Sequence, residues 1–466
     1  MRKVTWILAI SLIVVLVFGL LSLSCGPTES PTTTQPTTTQ PTTTQPTTTS
    51  PTPSGGEIKI GVVQSLTGMY AGFGTGGIWG IKAAVADINA AGGVDVGGTK
   101  MKITITEVDD QSDQNRGGPL AEGLVTQTKV NFLMSGEEPP TMKPAISTIA
   151  DRYKIPFVSS CGPFEPWNGM RSESDTKWPY TWATGMFAIG TPAAPPDFRA
   201  GLPGFTVNDT WIDYLKQFGP QTNKKVAVFA SADGDGVGWY SGLPPVLVEL
   251  GYEPVGLDKK LGLIPLETTD FSSVVNEWKT NDCQIMWGNA PAPFFGALWR
   301  QARSLGFAPK IVSVGRAPLF YTDVNAWGGD LPNGIGVEVW WTPTLKEYQG
   351  IGGTTPQSLA DRWTQETSQP VNPAIGPGYR MVQVLVDAIT RAGSIDPEKV
   401  QTALATTDLM TIAYRCKFDE NHFNRTPIVF GQWQKTTAAQ KWVLEVIYSA
   451  HSFIPTTAQP IFPIPY

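Results

Sequence analysis

The chain has 466 residues, 41% of them hydrophobic and 16% charged, with a formal net charge of −6. That length exceeds one ordinary core, so two lobes with appendages are expected. A lightly charged, acidic composition excludes nucleic acid and anionic membrane surfaces as partners, because both need a basic face, and favours handling of small molecules.

Arg2 and Lys3 precede an apolar run from Trp6 to Leu23, the charged start and hydrophobic middle of a signal peptide spanning 1–24. Cys25 follows Ser24 in a setting that resembles a bacterial lipoprotein cleavage site, and is the expected lipidation site. Such sites usually carry an aliphatic residue where this chain has Ser22, with Leu21 one further back. The competing reading is an uncleaved anchor, since about 18 apolar residues just span a bilayer. Both readings tether the same domain outside the membrane. From Pro31 to Pro51 the unit Pro-Thr-Thr-Thr-Gln recurs, lapsing at Ser50, and cannot bury a core. Residues 25–56 are therefore read as an extended stalk, or equally as a disordered spacer, rising roughly 3 Å per residue.

Ile58, Ile60, Val62 and Val63 predict a strand, and Gly68 to Gly77 a glycine-rich loop. From Ile78 the period changes: Ile78, Ile81, Ala84, Val85 and Ile88 share one helical face, and Gly92 with Gly93 ends the helix. Met101, Ile103 and Ile105 alternate with polar residues as a second strand ending at Asp109 and Asp110. A strand at Val130 to Met134, a helix near Met142 to Tyr153 and a strand at Pro156 to Ser159 follow. Repeated βα units predict a doubly wound α/β sheet that binds ligands at the carboxyl ends of its strands.

The strings IKIGVVQSLTGMYAGFGTGGIWGIKAAVADINAAGG, ITEVDDQSD, SGEEPPTMKPAISTIADRYKIPFVSS, KVAVFASADGDGVGWYSGL, LWRQARSLGF, GYRMVQVLVDAITRAG and KFDENHFNRTP occur in that order. They resemble the periplasmic solute-binding proteins of branched-chain amino acid ABC importers, across roughly residues 57 to 435. The resemblance implies a type I periplasmic binding protein fold, two doubly wound βαβ lobes joined by a three-strand hinge. On that alignment 57–183 and 340–411 form the first lobe, 184–339 the second, and 412–466 a return to the second lobe with a C-terminal tail. The crossovers are expected near Tyr180 to Gly185, Val337 to Trp341 and Ile412 to Phe418, and Ala188 to Thr206 as a surface insertion. Second-lobe strands are predicted at Val226 to Phe229, Ile285 to Trp287 and Ile311 to Val314, with helices at Phe271 to Trp278 and Phe294 to Ser304.

The family holds its amino acid at a glycine-rich first loop, a run of hydroxyls at the third strand's helix, and an acid in the second lobe. The first is kept, with Tyr70 and Phe73 as an aromatic wall. The second is altered: Gly136, Glu137, Glu138, Pro139, Pro140 and Thr141 stand where relatives read Gly-Pro-x-Ser-Ser-Ser. Two potential N–H donors are lost to proline, Thr141 keeps a hydroxyl, and the two glutamates are expected as solvated acids at a helix start, with pairing to a cation as the other reading. The next loop keeps backbone groups at Gly162. The third is missing, with Gly315 and Arg316 in its place; Arg316 suits a ligand carboxylate or lies on the surface. Trp239, Asn289 and Trp340 complete the candidate ligand-binding set, with Tyr240, Trp287 and Trp341 close by in sequence. Together they favour an aromatic or largely apolar carboxylate over a small zwitterion.

Gly72, Gly74 and Gly77 match a dinucleotide fingerprint only by spacing. Asp233 to Gly236 lacks the later ligands of a calcium loop, and His422 and His451 are the only histidines. No catalytic residues, cofactor or metal are therefore assigned. Cys161, Cys283 and Cys416 leave one disulfide or three thiols open, and free thiols are expected. The function expected is an extracytoplasmic solute-binding protein delivering a small organic ligand to ABC permease subunits. A sensory module of the same fold and a cell-surface structural protein are the alternatives.

Overall fold

The first strand alternates exposed and buried residues, then buries five in succession, as a strand covered on both faces must. The computed structural model describes residues 56–160, 162–187 and 206–466. In chain order come β1 (Glu57–Gln64), α1 (Ala71–Ala90), β2 (Val94–Val96), β3 (Thr99–Asp109), α2 (Gly117–Gly123), β4 (Phe132–Ser135), α3 (Pro144–Tyr153), β5 (Phe157–Ser159), α4 (Phe164–Glu173) and β6 (Thr181–Met186). A second series follows: α5 (Val207–Phe218), β7 (Lys225–Ser231), α6 (Gly234–Glu249), β8 (Glu253–Pro254), β9 (Leu263–Ile264), α7 (Ser272–Thr280), β10 (Ile285–Ala290), α8 (Ala292–Ser304), β11 (Ile311–Arg316), α9 (Tyr321–Trp327) and β12 (Ile335–Val339). The chain then forms α10 (Pro356–Thr367), α11 (Ile375–Ala392), α12 (Pro397–Leu404), β13 (Asp408–Thr411), β14 (Tyr414–Lys417), β15 (Phe423–Arg425), β16 (Val429–Lys435) and β17 (Trp442–Tyr448).

These strands build two principal sheets. The first runs β15-β6-β5-β4-β1-β3-β2 and the second β17-β16-β12-β11-β10-β7-β8, with β9 beside β7. Both are parallel at their centres, and only β2, β16 and β17 join antiparallel. Strand order reverses beside β1 and beside β7, where the strand carboxyl ends open toward a crevice.

The segment read as a glycine-rich loop is a helix from Ala71 onward. Its glycines serve close packing: a Cβ at Gly74 would lie 1.9 Å from the Ser65 carbonyl oxygen, and one at Gly80 2.1 Å from that of Ile375. α1 therefore beds directly on the end of β1 and on α11, an approach that any side chain would block. The third crossover also departs from expectation. Asp408–Thr411 and Tyr414–Lys417 form a local hairpin, and Phe423–Arg425 still pair with β6 in the first sheet. The chain reaches the second sheet only at Val429, because an alternating apolar run such as Ile412 to Phe418 reads alike for a hairpin and a crossover.

Each sheet carries cores on both faces. Ten tryptophans, Trp167, Trp182, Trp211, Trp278, Trp287, Trp299, Trp341, Trp363, Trp433 and Trp442, are each less than 2% exposed, which accounts for most of the indoles as packing. Cys283 and Cys416 are free and buried. Cys161, Cys25, the amino-terminal apolar run, the stalk and the insertion as far as 205 lie outside the described residues. Thr206 caps α5, accepting from the Asp209 N–H at 3.1 Å. Among the described residues, no helix is long and apolar enough to cross a membrane.

Candidate functional site

The carboxyl ends of both parallel sheets meet at a tight pocket with a cavity volume of about 20 Å³. The first sheet contributes Phe73 from α1, Glu138 and Pro139 after β4, and Gly162 and Pro163 after β5. The second contributes Asp235 and Trp239 from α6, Arg316 and Leu319 at the end of β11, and Glu338 and Trp340 where β12 leaves the sheet. Phe187, following β6, closes it. Phe73 and Phe187 stack on Trp340 at ring separations of 5.6 and 6.1 Å, with interplanar angles of 24° and 18°. A wider depression of about 450 Å³ adjoins, lined by Tyr70, Ser112, Thr141, Asp233, Asp235 and Arg316 among others.

The sequence-predicted residues thus come together unevenly. Phe73, Gly162, Trp239, Arg316 and Trp340 line the inner pocket, while Tyr70 and Thr141 stand with Arg316 at the outer depression. Asn289 lies behind Arg316, accepting from its Nε at 2.8 Å and donating to Asp235 Oδ2 at 3.1 Å. Trp287 packs on Trp211, Trp341 packs in the first-sheet core, and Tyr240 receives the Gly262 N–H on its hydroxyl.

Arg316 is a correction to the sequence reading. Its guanidinium pairs with Asp235 at 2.9 Å and Asp233 at 3.1 Å and donates to Ser231 at 2.9 Å. Burial opposes its charge, yet the two aspartates more than offset that and raise its pKa. It is neither a surface arginine nor a free cation awaiting a carboxylate. Its backbone sits at φ 65, the left-handed region, which aims the side chain back across β10 and β7. Asp233 is also the amino-terminal cap of α6, accepting from the Gly236 N–H at 2.9 Å, so its loop serves helix capping and charge pairing.

Glu137 and Glu138 are the second correction, for both are buried. Glu138 Oε1 accepts from Gln64 Nε2 at 2.7 Å and from the Ser65 N–H at 2.5 Å. Its Oε2 accepts from Lys143 Nζ at 2.7 Å and Ser135 Oγ at 3.2 Å. Lys143 and Glu138 are both fully buried as side chains. Glu137 accepts from Ser160 and faces Arg380 at 3.7 Å; burial pushes its pKa up to about 7, with Arg380 pulling the other way. The two prolines after Glu138 supply no N–H groups, so the carboxylate turns inward to donors of the first sheet.

Sequence reasoning missed Glu338. It lies in β12, 3% exposed, with Oε1 accepting the Arg316 N–H at 3.4 Å and Oε2 without a partner. Burial pushes its pKa up to about 8, and nearby Asp235 adds to the shift. Asp235 Oδ1 is likewise unpaired, as are Arg316 Nη1 and Trp340 Nε1. A signal existed: a single acid inside the apolar run Ile335 to Trp341 has to find a purpose for its charge.

With this geometry in place, the comparisons are direct. Residues 57–439 match the family described as periplasmic binding protein. An amino acid binding protein of Pseudomonas aeruginosa is 24% identical over 78% of this chain and 86% of its own length. A leucine binding protein from Thermotoga maritima superimposes with a TM-score of 0.63 at 19% identity, covering 84% of this chain and 99% of that one. A solute binding protein from Rhodopseudomonas palustris, solved with p-hydroxybenzoic acid, gives a TM-score of 0.61 at 17% identity over 88% and 98% of the two chains. The fold is that of the type I periplasmic binding proteins.

Proposed function

The chain belongs to the periplasmic binding protein family, whose members are extracytoplasmic substrate-binding proteins, and from that premise we propose that it captures one small organic molecule between its two sheets. The bound, closed form would then be offered to the permease subunits of an ABC importer. The observation that carries this reading is the aromatic pocket at the strand ends, lined from both sheets.

Phe73, Gly162, Trp239 and Trp340 are taken as ligand contacts, with Tyr70 and Thr141 at the entrance and Asn289 holding Arg316 and Asp235 in place. Capture, closure and docking need no covalent step. The stacked rings support the aromatic or apolar body expected from sequence, and the hydroxybenzoate-bound relative is a precedent for such bodies in this fold. The carboxylate half of that expectation loses its main support once Arg316 is paired with two aspartates. Tethering through Cys25 or through the amino-terminal apolar run is part of the same proposal.

Closure is testable at Gly72, where an added Cβ would lie 2.4 Å from the Phe320 ring on the second-sheet side. Gly72→Ala should weaken capture of any co-purified molecule seen by native mass spectrometry and hold the scattering profile in its wider form. A wild-type protein whose scattering never responds to a bound molecule would sink the reading.

A further inference from the structure

Two independent features of the pocket bear on the charge of its ligand. On the first-sheet side, Ser65 N–H, Gln64 Nε2, Ser135 Oγ and Lys143 Nζ, the groups suited to grip a carboxylate, already hold the carboxylate of Glu138. The protein supplies its own anion there. On the second-sheet side, two aspartates face one guanidinium, and Asp235 Oδ1 and Glu338 Oε2, on side chains 4% and 3% exposed, have no partner. A buried carboxylate oxygen without a donor is costly, so Glu338 keeps a proton of its own, and a ligand N–H facing Asp235 Oδ1 and Glu338 Oε2 can take that proton's place. Phe73, Trp239 and Trp340 line the same pocket and give it an aromatic, apolar wall.

Resting on the solute-capture reading above, we propose that the ligand is an organic cation without a free carboxylate, a primary or secondary amine on an apolar or aromatic body, set against Asp235 and Glu338 and walled by Phe73, Trp239 and Trp340. The unpaired Arg316 Nη1 and Trp340 Nε1 then suit a neutral acceptor on the same molecule, a hydroxyl, ether or carbonyl. Glu338, whose pKa burial pushes up to about 8, releases its proton as the cation arrives, so the heat of binding varies with the ionisation enthalpy of the buffer.

The test is titration calorimetry with parallel scattering on the full chain, using benzylamine, N-methylbenzylamine, benzoate and leucine. The amines should bind with closure at least about tenfold more tightly than either carboxylate, and Asp235→Asn or Glu338→Gln should lose about tenfold for the amines. Benzoate or leucine binding as tightly as the amines overturns the proposal while leaving solute capture standing. Binding of none of the four overturns the proposal and leaves solute capture standing, whereas binding without closure overturns both. A second arm uses Glu138→Ala: acetate should raise the melting temperature of this variant and leave wild type unchanged, because the vacated donors then take an outside carboxylate. Equal response of the two proteins to acetate counts against the self-supplied anion and so against the proposal.

Discussion

On the first-sheet side of the pocket, Glu138 gives both oxygens to partners from its own lobe; on the second-sheet side, Asp235 and Glu338 each leave one oxygen unpaired. Burial is equally deep on both sides, so depth is not what distinguishes them. The difference is completeness. A closed network of Lys143, Glu138, Ser135, Gln64 and Ser65 fixes the first-sheet floor in one arrangement, whereas the second-sheet wall retains hydrogen-bonding capacity that only another molecule can use. On the proposed reading, structure and recognition are thus separated across the pocket, although the residue types involved are nearly the same.

The comparison breaks most readily at Lys143. Lys143→Met strands a buried carboxylate and should cost about 3–5 kcal/mol in urea unfolding, while the Glu138→Gln, Lys143→Met double variant recovers much of it; a cost for the single change near that of a surface residue would mean the floor is not closed. Arg316→Met on the opposite wall should cost about 3 kcal/mol, at the lower end because Asp233, at 16% side-chain exposure, can turn partly to water. Circular dichroism melts of both variants would rank the two sides.

A pH series sharpens the contrast further. Glu338 and Glu137 have folded pKa values near 8 and 7, raised by burial above the ordinary 4.5. In that interval the folded chain holds protons that the unfolded chain has released, so stability is full below about pH 4.5 and falls as pH rises through the folded values. From these two groups the loss should be on the order of 6 kcal/mol between pH 5 and 8. Glu338→Gln should flatten the upper part of this slope and Glu137→Gln only the part below about pH 7; a slope untouched by either change would remove both residues as its source. The smallest effect is expected far from both sides, at the exposed Arg415–Asp408 pair of the β13–β14 hairpin. Arg415→Ala should stay within about 1 kcal/mol of wild type, which sets the baseline against which the pocket variants are read.

Much of the scaffold was legible because its signals are local and periodic. The apolar alternation of β1 and β3 and the one-sided face of α1 from Ile78 onward lie where the structure has them. Gly72 to Gly77 misled because glycine density signals a turn and a close helix contact equally, and only the distant neighbours, Phe320 at Gly72 and Asn372 at Gly76, decide between them. Phe73, Trp239 and Trp340 could be named as candidates from order along the chain and line one pocket, whereas Tyr70, paired with Phe73 in the sequence reading, lines the outer depression. The charge pattern could not. Whether Arg316 is free depends on Asp233 and Asp235, some eighty residues earlier in the chain, and whether Glu138 is solvated depends on Lys143 folding back over two prolines. Long-range pairing of this kind leaves no periodic trace.

The ten sealed indoles have a practical bearing on optical experiments. Locked in rigid, dry surroundings, they emit a large blue-shifted signal that stays constant until the chain unfolds, and they make emission a sensitive denaturation probe. If Trp239 and Trp340 contact the ligand as proposed, they contribute the ligand-dependent part, so a fluorescence titration of this protein reads as a slight modulation on a tall pedestal, and a Trp340→Phe control assigns it.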